Sequence, residues 1–151
     1  GPGIISFTGG TKTFSGGLTV NNGTVNASRG GNITLGAADG ANNIAGSGNI
    51  TVNTGGTFNL TQTANNAITL RGGSTLANNG GTLNVTSTGN NEARDFFIGT
   101  DASNTGTLLS TGGTTNITVG DDIRVRANSA ITVSGGTVKA FVVEGKGTPS
   151  P

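Results

Sequence analysis

The sequence predicts an all-β fold, a right-handed parallel β-helix (β-solenoid) of about five or six irregular rungs. Three observations predict it. Helix-length windows are interrupted by glycine and filled with Thr, Val, Ile and Asn, which are poor helix formers. Apolar residues alternate with period two in short bursts. Two nearly invariant words recur at the spacing of a stacked array.

The first word is Ile33-Thr34-Leu35, repeated as Ile50-Thr51-Val52, Ile68-Thr69-Leu70, Ile117-Thr118-Val119 and Ile131-Thr132-Val133. Each copy puts two branched aliphatics on one face of a strand and Thr on the other. The second word follows a glycine pair: Gly55-Gly56-Thr57-Phe58-Asn59-Leu60, then Gly80-Gly81-Thr82-Leu83-Asn84-Val85. It returns at Gly112-Gly113-Thr114 and Gly135-Gly136-Thr137, with an early form at Gly23-Thr24-Val25-Asn26-Ala27. A burst this short cannot bury a face alone, but stacked on its equivalents about 4.8 Å away it forms inward ladders of aliphatics. Glycine pairs and the Asn22-Gly23 and Asn79-Gly80 steps supply corners with positive φ. Outward Asn is placed to form amide ladders where rungs stack in register. About 15 to 17 candidate strands at three per rung give the rung count. The six phenylalanines, Phe7, Phe14, Phe58, Phe96, Phe97 and Phe141, read as rung fillers or end plugs.

Residues 36–48 and 89–95 read as protruding loops, the first with a minimal strand at Ile44. Residues 1–3 read as a protease-cleavage scar, 4–144 as a single β-solenoid domain, and 145–151 as a linker to a further downstream segment. The alternative fold is a β-sandwich, which also has short strands and polar turns. It does not account for nearly identical words at rung spacing.

Composition narrows the function classes. With 29 glycines the chain resembles a disordered one, but it has only 3 prolines, 10% charged residues and a formal net charge of +1, and its apolar residues are clustered. It has no Cys or His, which removes disulfides, the usual transition-metal ligand sets and the usual general base of hydrolases. Near-neutral charge provides no footprint for nucleic acid. No apolar run approaches the ~18 residues of a membrane span, so this segment is expected not to insert in a membrane. No phosphate loop, nucleophile elbow or dinucleotide fingerprint is present. The expectation is a non-enzyme without cofactors.

The stretch Phe96-Phe97-Ile98-Gly99, Gly106-Thr107-Leu108-Leu109, Gly112-Gly113-Thr114, Ile117-Thr118-Val119-Gly120 resembles repeats of autotransporter-type passenger proteins. It is also similar to the autotransporter-associated β-strand repeats of very large bacterial surface proteins. The unit from Ile123 to Val138, and Ser15-Gly16-Gly17-Leu18-Thr19-Val20 with Gly23-Thr24-Val25, follow the same pattern. The resemblance implies export, a cell-surface or extracellular location, a β-helical stalk, and adhesive or matrix roles. The implied partners are surface glycans or other surface proteins.

Charged residues concentrate in the C-terminal half. The candidate ligand contacts are Asp39, Asn42, Asn43, Glu92, Arg94, Asp95, Arg124 and Arg126. The spacing of Asp95 to Asp121 or Asp122 is close to one rung; this allows a carbohydrate- or calcium-binding patch, but fits better a surface salt-bridge ladder that keeps neighbouring rungs in register. Asp101, Asp121 and Asp122 are weak calcium candidates. The segment from Asp101 to Gly106 begins like a calcium loop but lacks the bidentate acid, and Asp/Asn/Gly turns share its composition. A calcium-dependent polysaccharide-active β-helix is thus one alternative function.

Ice binding is another, with Thr-x-Thr at Thr11/Thr13, Thr61/Thr63 and Thr86/Thr88. These pairs lie 50 and 25 residues apart with no copy in every rung, which argues against a regular array. Asn22, Asn26, Asn32, Asn49, Asn59, Asn84 and Asn116 begin N-glycosylation sequons, most of them by-products of the Asn-aliphatic-Thr strand word. Unpaired strand edges at the ends of an isolated stack predict capping by Phe-rich or irregular terminal segments, or end-to-end self-association.

Overall fold

The computed structural model describes residues 2–9, 17–30, 32–36, 49–64, 66–87 and 96–142, and the backbone of 43–45. The described residues form strands and turns with no helix. The strands are β1 (Ile4–Thr8), β2 (Leu18–Val20), β3 (Gly23–Arg29), β4 (Ile33–Leu35), β5 (Asn43–Ala45), β6 (Ile50–Val52) and β7 (Gly56–Gln62). They continue as β8 (Ile68–Leu70), β9 (Ser74–Ser87), β10 (Phe96–Ile98), β11 (Gly106–Val119), β12 (Ile123–Val125) and β13 (Ala130–Val142). Every pairing among them is parallel.

Two sheets result. The five-stranded sheet runs β12-β10-β8-β4-β5. The eight-stranded sheet has two arms, because β9, β11 and β13 run through a bend that separates β2 from β3 and β6 from β7. The first arm stacks β2, β6 and the N-terminal halves of β9, β11 and β13. The second stacks β1, β3, β7 and the C-terminal halves of the same three strands. From β2 onward, and apart from β5, the chain visits first arm, second arm and five-stranded sheet in turn, then returns one strand further along each.

Register follows the inward residues. In the first arm Leu18, Ile50, Leu76, Leu108 and Ile131 form one column. In the second, Val25, Phe58 and Leu83 form another, beside Ala27, Leu60, Val85 and Ile117. The five-stranded sheet contributes Ile33, Ile68 and Phe96, and Leu35, Leu70 and Ile98. Apart from Leu18, which packs half-buried against it, and Ile131, which is exposed, these side chains make one continuous buried cluster. Burying each aliphatic or Phe side chain contributes about 1.5–3 kcal/mol, and a one-residue slip would turn a whole strand's set outward.

The bend falls at the glycine pairs. Gly113 has φ of 69°, and a methyl there would strike the Gly81 carbonyl of the adjacent strand. The backbone can turn this tightly against its neighbour only without a Cβ.

Two expectations change. Phe58 and Phe96 fill the interior as expected, but Phe97 points outward and Phe141 is exposed; each follows an inward residue, and strand alternation overrides its hydrophobicity. Phe14 lies outside the described residues. The strand at Ile44 is present as β5, but it does not open a new level: it pairs with the edge of β4 opposite β8. A later segment thus covers an earlier strand's free edge.

Candidate functional site

The outward face of the second arm is the most regular surface of the described residues. One column is Thr24, Thr57, Thr82, Thr114 and Thr137, and another is Ser28, Thr61, Thr86 and Thr118. Between them stand Asn26, Asn59, Asn84 and Asn116, linked amide to amide. Asn116 Nδ2 donates to Asn84 Oδ1 at 2.8 Å, Asn84 Nδ2 to Asn59 Oδ1 at 2.7 Å, and Asn59 Nδ2 to Asn26 Oδ1 at 2.7 Å. From β3 to β11 the face carries the pattern Thr/Ser and Asn, without charge or aromatic ring. Lys139 and Phe141 replace Asn and Thr on β13. The regular unit is Thr-x-Asn-x-Thr and not the Thr-x-Thr pairs considered from sequence. Its Thr-x-Asn part stands in the glycine-pair word, but the register of its stacking does not follow from a fixed period, because the chain interval between successive copies varies from 25 to 33 residues, as in Thr57↔Thr82 and Thr24↔Thr57.

A second polar column follows the bend. Asn53 Nδ2 donates to Asn21 Oδ1 at 2.7 Å, Asn79 Nδ2 to Asn53 Oδ1 at 3.3 Å, and Thr111 Oγ1 to Asn79 Oδ1 at 3.0 Å. The remaining sequon asparagines bind backbone: Asn22 Oδ1 accepts from Gly23 N, Asn32 Oδ1 from Ala67 N and Asn49 Oδ1 from Thr75 N. All seven sequon amides are therefore engaged in structural hydrogen bonds, most of them between strands.

Of the charged candidates, Arg124 and Arg126 come together around Phe97, with guanidinium carbons 5.8 and 5.5 Å from the ring centroid. Arg124 also pairs with Asp122 at 3.1 Å, with both side chains about half exposed (41% and 54%). From sequence Phe97 reads as a rung filler or end plug, and this cluster was not foreseen. The signal for it was parity, since Phe96 and Ile98 already claim the inward positions. Exposed cation–π contacts are worth about 0.5–1 kcal/mol each, so the cluster secures β12 to β10.

Asp101 closes a turn. Its Oδ1 accepts from Ser103 N at 2.8 Å and Asn104 N at 2.9 Å, and Oδ2 accepts from Asn104 Nδ2 at 3.0 Å and Thr100 Oγ1 at 3.1 Å. The Asn104 side chain and the Ser103 and Asn104 amides hold its pKa at about 2, below the ordinary 3.8. Both carboxylate oxygens thus hold the turn together. Asp121 follows β11 and Asp122 precedes β12. Among the described residues no group of three or more acidic, His or Cys side chains is placed to hold a metal ion.

Asp39, Asn42, Glu92, Arg94 and Asp95 lie outside the described residues, and Asn43 is described only as the first residue of β5. Among the described residues no helix is long and apolar enough to cross a membrane. No protein-family model, curated protein or solved structure matches this chain.

Proposed function

We propose that the chain is a right-handed parallel β-helix acting as a non-enzymatic structural and adhesive module of an exported bacterial surface or matrix protein. The observation that carries this reading is the return of the chain, in parallel register, to the same three strand columns. Parallel crossovers within one sheet are right-handed in about 98% of cases, which supports the hand. Stacked levels give a stiff body whose outward Thr/Asn face repeats about every 4.8 Å. Such a face offers many weak, equivalent hydrogen-bonding positions, suited to surface glycans or another surface protein bound multivalently.

The test is a polysaccharide panel probed with the protein displayed densely on beads. Retention without depolymerisation, lost when Thr57, Thr82 and Thr114 are replaced together by Lys, supports adhesion. Breakdown of any polymer, or no retention on the panel, refutes it. The uninterrupted Thr and Asn columns also favour a second reading, binding of ice. Thermal hysteresis in the native protein and its loss in the triple Lys variant would identify it.

A further inference from the structure

We infer that the β13 end of the stack is a docking surface for a second copy of this chain, joined β13 to β13 across a two-fold axis. The inference rests on the stacked-coil reading and adds the partner and its register. β13 pairs with β11 along one edge, and its other edge has no strand partner among the described residues. Its core-facing side chains continue buried columns and yet are open: Ile131 is 39% exposed, Val133 52% and Val142 41%. Each stands beside a buried residue of β11, Leu108, Ser110 and Val119 respectively. A thirteen-residue strand edge with no strand partner among the described residues and with open aliphatics on its core-facing side is a surface that associates with another edge.

The two halves of β13 complement each other when one copy is turned end over end. Place the axis at the Gly135–Gly136 bend, with antiparallel pairing. Ile131 then faces Ala140 of the second copy, and Val133 faces Val138. All four belong to core-facing columns, and the larger Ile meets the smaller Ala. Outward residues also match outward: Thr132 faces Lys139 of the second copy, and Ala130 faces Phe141. The two Lys139 charges are kept apart. This works because core-facing residues are odd-numbered before the bend and even-numbered after it. The opposite end fits less of this surface. Among the described residues the opposite end offers β1 (Ile4–Thr8) to the second arm, while β2 lies one level further back in the first, so head-to-tail docking of these strands leaves Ile131 and Val133 open. The two-fold arrangement is isologous and closes at a dimer.

The chain has no native cysteine, so introduced ones report contacts cleanly. Residues opposed across an antiparallel pair sit about 4.5–5.5 Å apart at Cα, within disulfide reach. We expect Thr132→Cys and Lys139→Cys proteins, each alone, to stay uncrosslinked under mild oxidation, and their mixture to give a covalent dimer. Light scattering should show a dimer and nothing larger, and Val133→Lys should convert it to monomer. Monomer at high concentration with no mixed crosslink overturns the proposal, as does crosslinking of Ser6→Cys with Lys139→Cys, which would mark head-to-tail assembly. An internal Asn59→Cys/Asn84→Cys disulfide separates the two levels of failure. If it closes while the mixture stays uncrosslinked, only the dimer is wrong. If it does not close, the stacking and the dimer fall together.

Discussion

Asn78 sits in a column otherwise suited to valine. Val20, Val52, Asn78, Ser110 and Val133 occupy successive strands at the same inward position. Asn78 is 0% exposed, and it uses its full hydrogen-bonding capacity. Nδ2 donates to the Thr114 carbonyl at 2.9 Å and to Thr115 Oγ1 at 3.1 Å; Oδ1 accepts from Gly80 N at 3.2 Å and Gly81 N at 3.0 Å. The side chain satisfies backbone groups that the bend in β9 takes out of the ladder.

Asn78→Val keeps a shape the column accepts at three other levels, so its effect isolates those bonds. It strands the Gly81 amide, the Thr114 carbonyl and Thr115 Oγ1, at about 1–3 kcal/mol for each buried group left unpaired. The three groups together cost about 3–9 kcal/mol, and apolar burial by Val returns about 1.5–3 kcal/mol. The expected net loss is about 2–6 kcal/mol. Urea denaturation followed by circular dichroism measures it. Thr115→Val removes one of the stranded partners, so the double variant should lose at least about 0.5 kcal/mol less than the sum of the singles. A single-variant loss below about 0.5 kcal/mol, or strict additivity, would refute the claim that this amide organises the bend.

Four further outcomes are expected. Phe58→Ala should cost about 3–5 kcal/mol by calorimetry, because Phe58 is wholly buried between Val25 and Leu83 and leaves a cavity. Gly113→Ala should cost more than about 2 kcal/mol, combining a left-handed φ with collision against the Gly81 carbonyl, whereas Gly73→Ala, at φ 75° in open space, should cost about 1. The Asp101 carboxylate should titrate near 2 by carbon NMR, below the ordinary 3.8. Its lowered pKa means the turn's contribution is complete above about pH 4 and is lost as pH falls through about 2; a midpoint near 3.8 would contradict the hydrogen-bonded turn. Asn59→Asp removes the donor to Asn26 Oδ1 in mid-ladder, and should lower the melting temperature by a few degrees, corresponding to about 1 kcal/mol.

The glycine-pair word and the aliphatic triplet word differ in how much of the structure they determine. The Gly-Gly-Thr word stacks on itself: Thr57, Thr82, Thr114 and Thr137 form one column. Glycine pairs mark the bend, and the bend anchors register, so this part of the fold is legible from residue identity. The triplet word does not stack on itself throughout. Ile33 and Ile68 pair in the five-stranded sheet, Ile50 and Ile131 lie in the first arm, and Ile117 lies in the second. Inward-outward-inward is a local property of any strand, and it does not say which of three columns the strand joins.

By itself the sequence determined strand rather than helix, the alternation within each strand, the corners, and the Asn positions from which amide ladders could form. Those follow from backbone preference and side-chain period, which act within a few residues. Only the tertiary structure decided which strands are neighbours. It turned seven sequon asparagines into structural hydrogen bonds and placed Phe97 beneath two arginines. It also revealed the Thr-x-Asn-x-Thr face and the open edge of β13. Apart from the local Asn22–Gly23 bond, each of these depends on chain segments some 20 to 35 residues apart meeting at one register, as in Ile4↔Thr24 and Ile33↔Ile68. The unequal intervals leave no fixed period from which that register could be read.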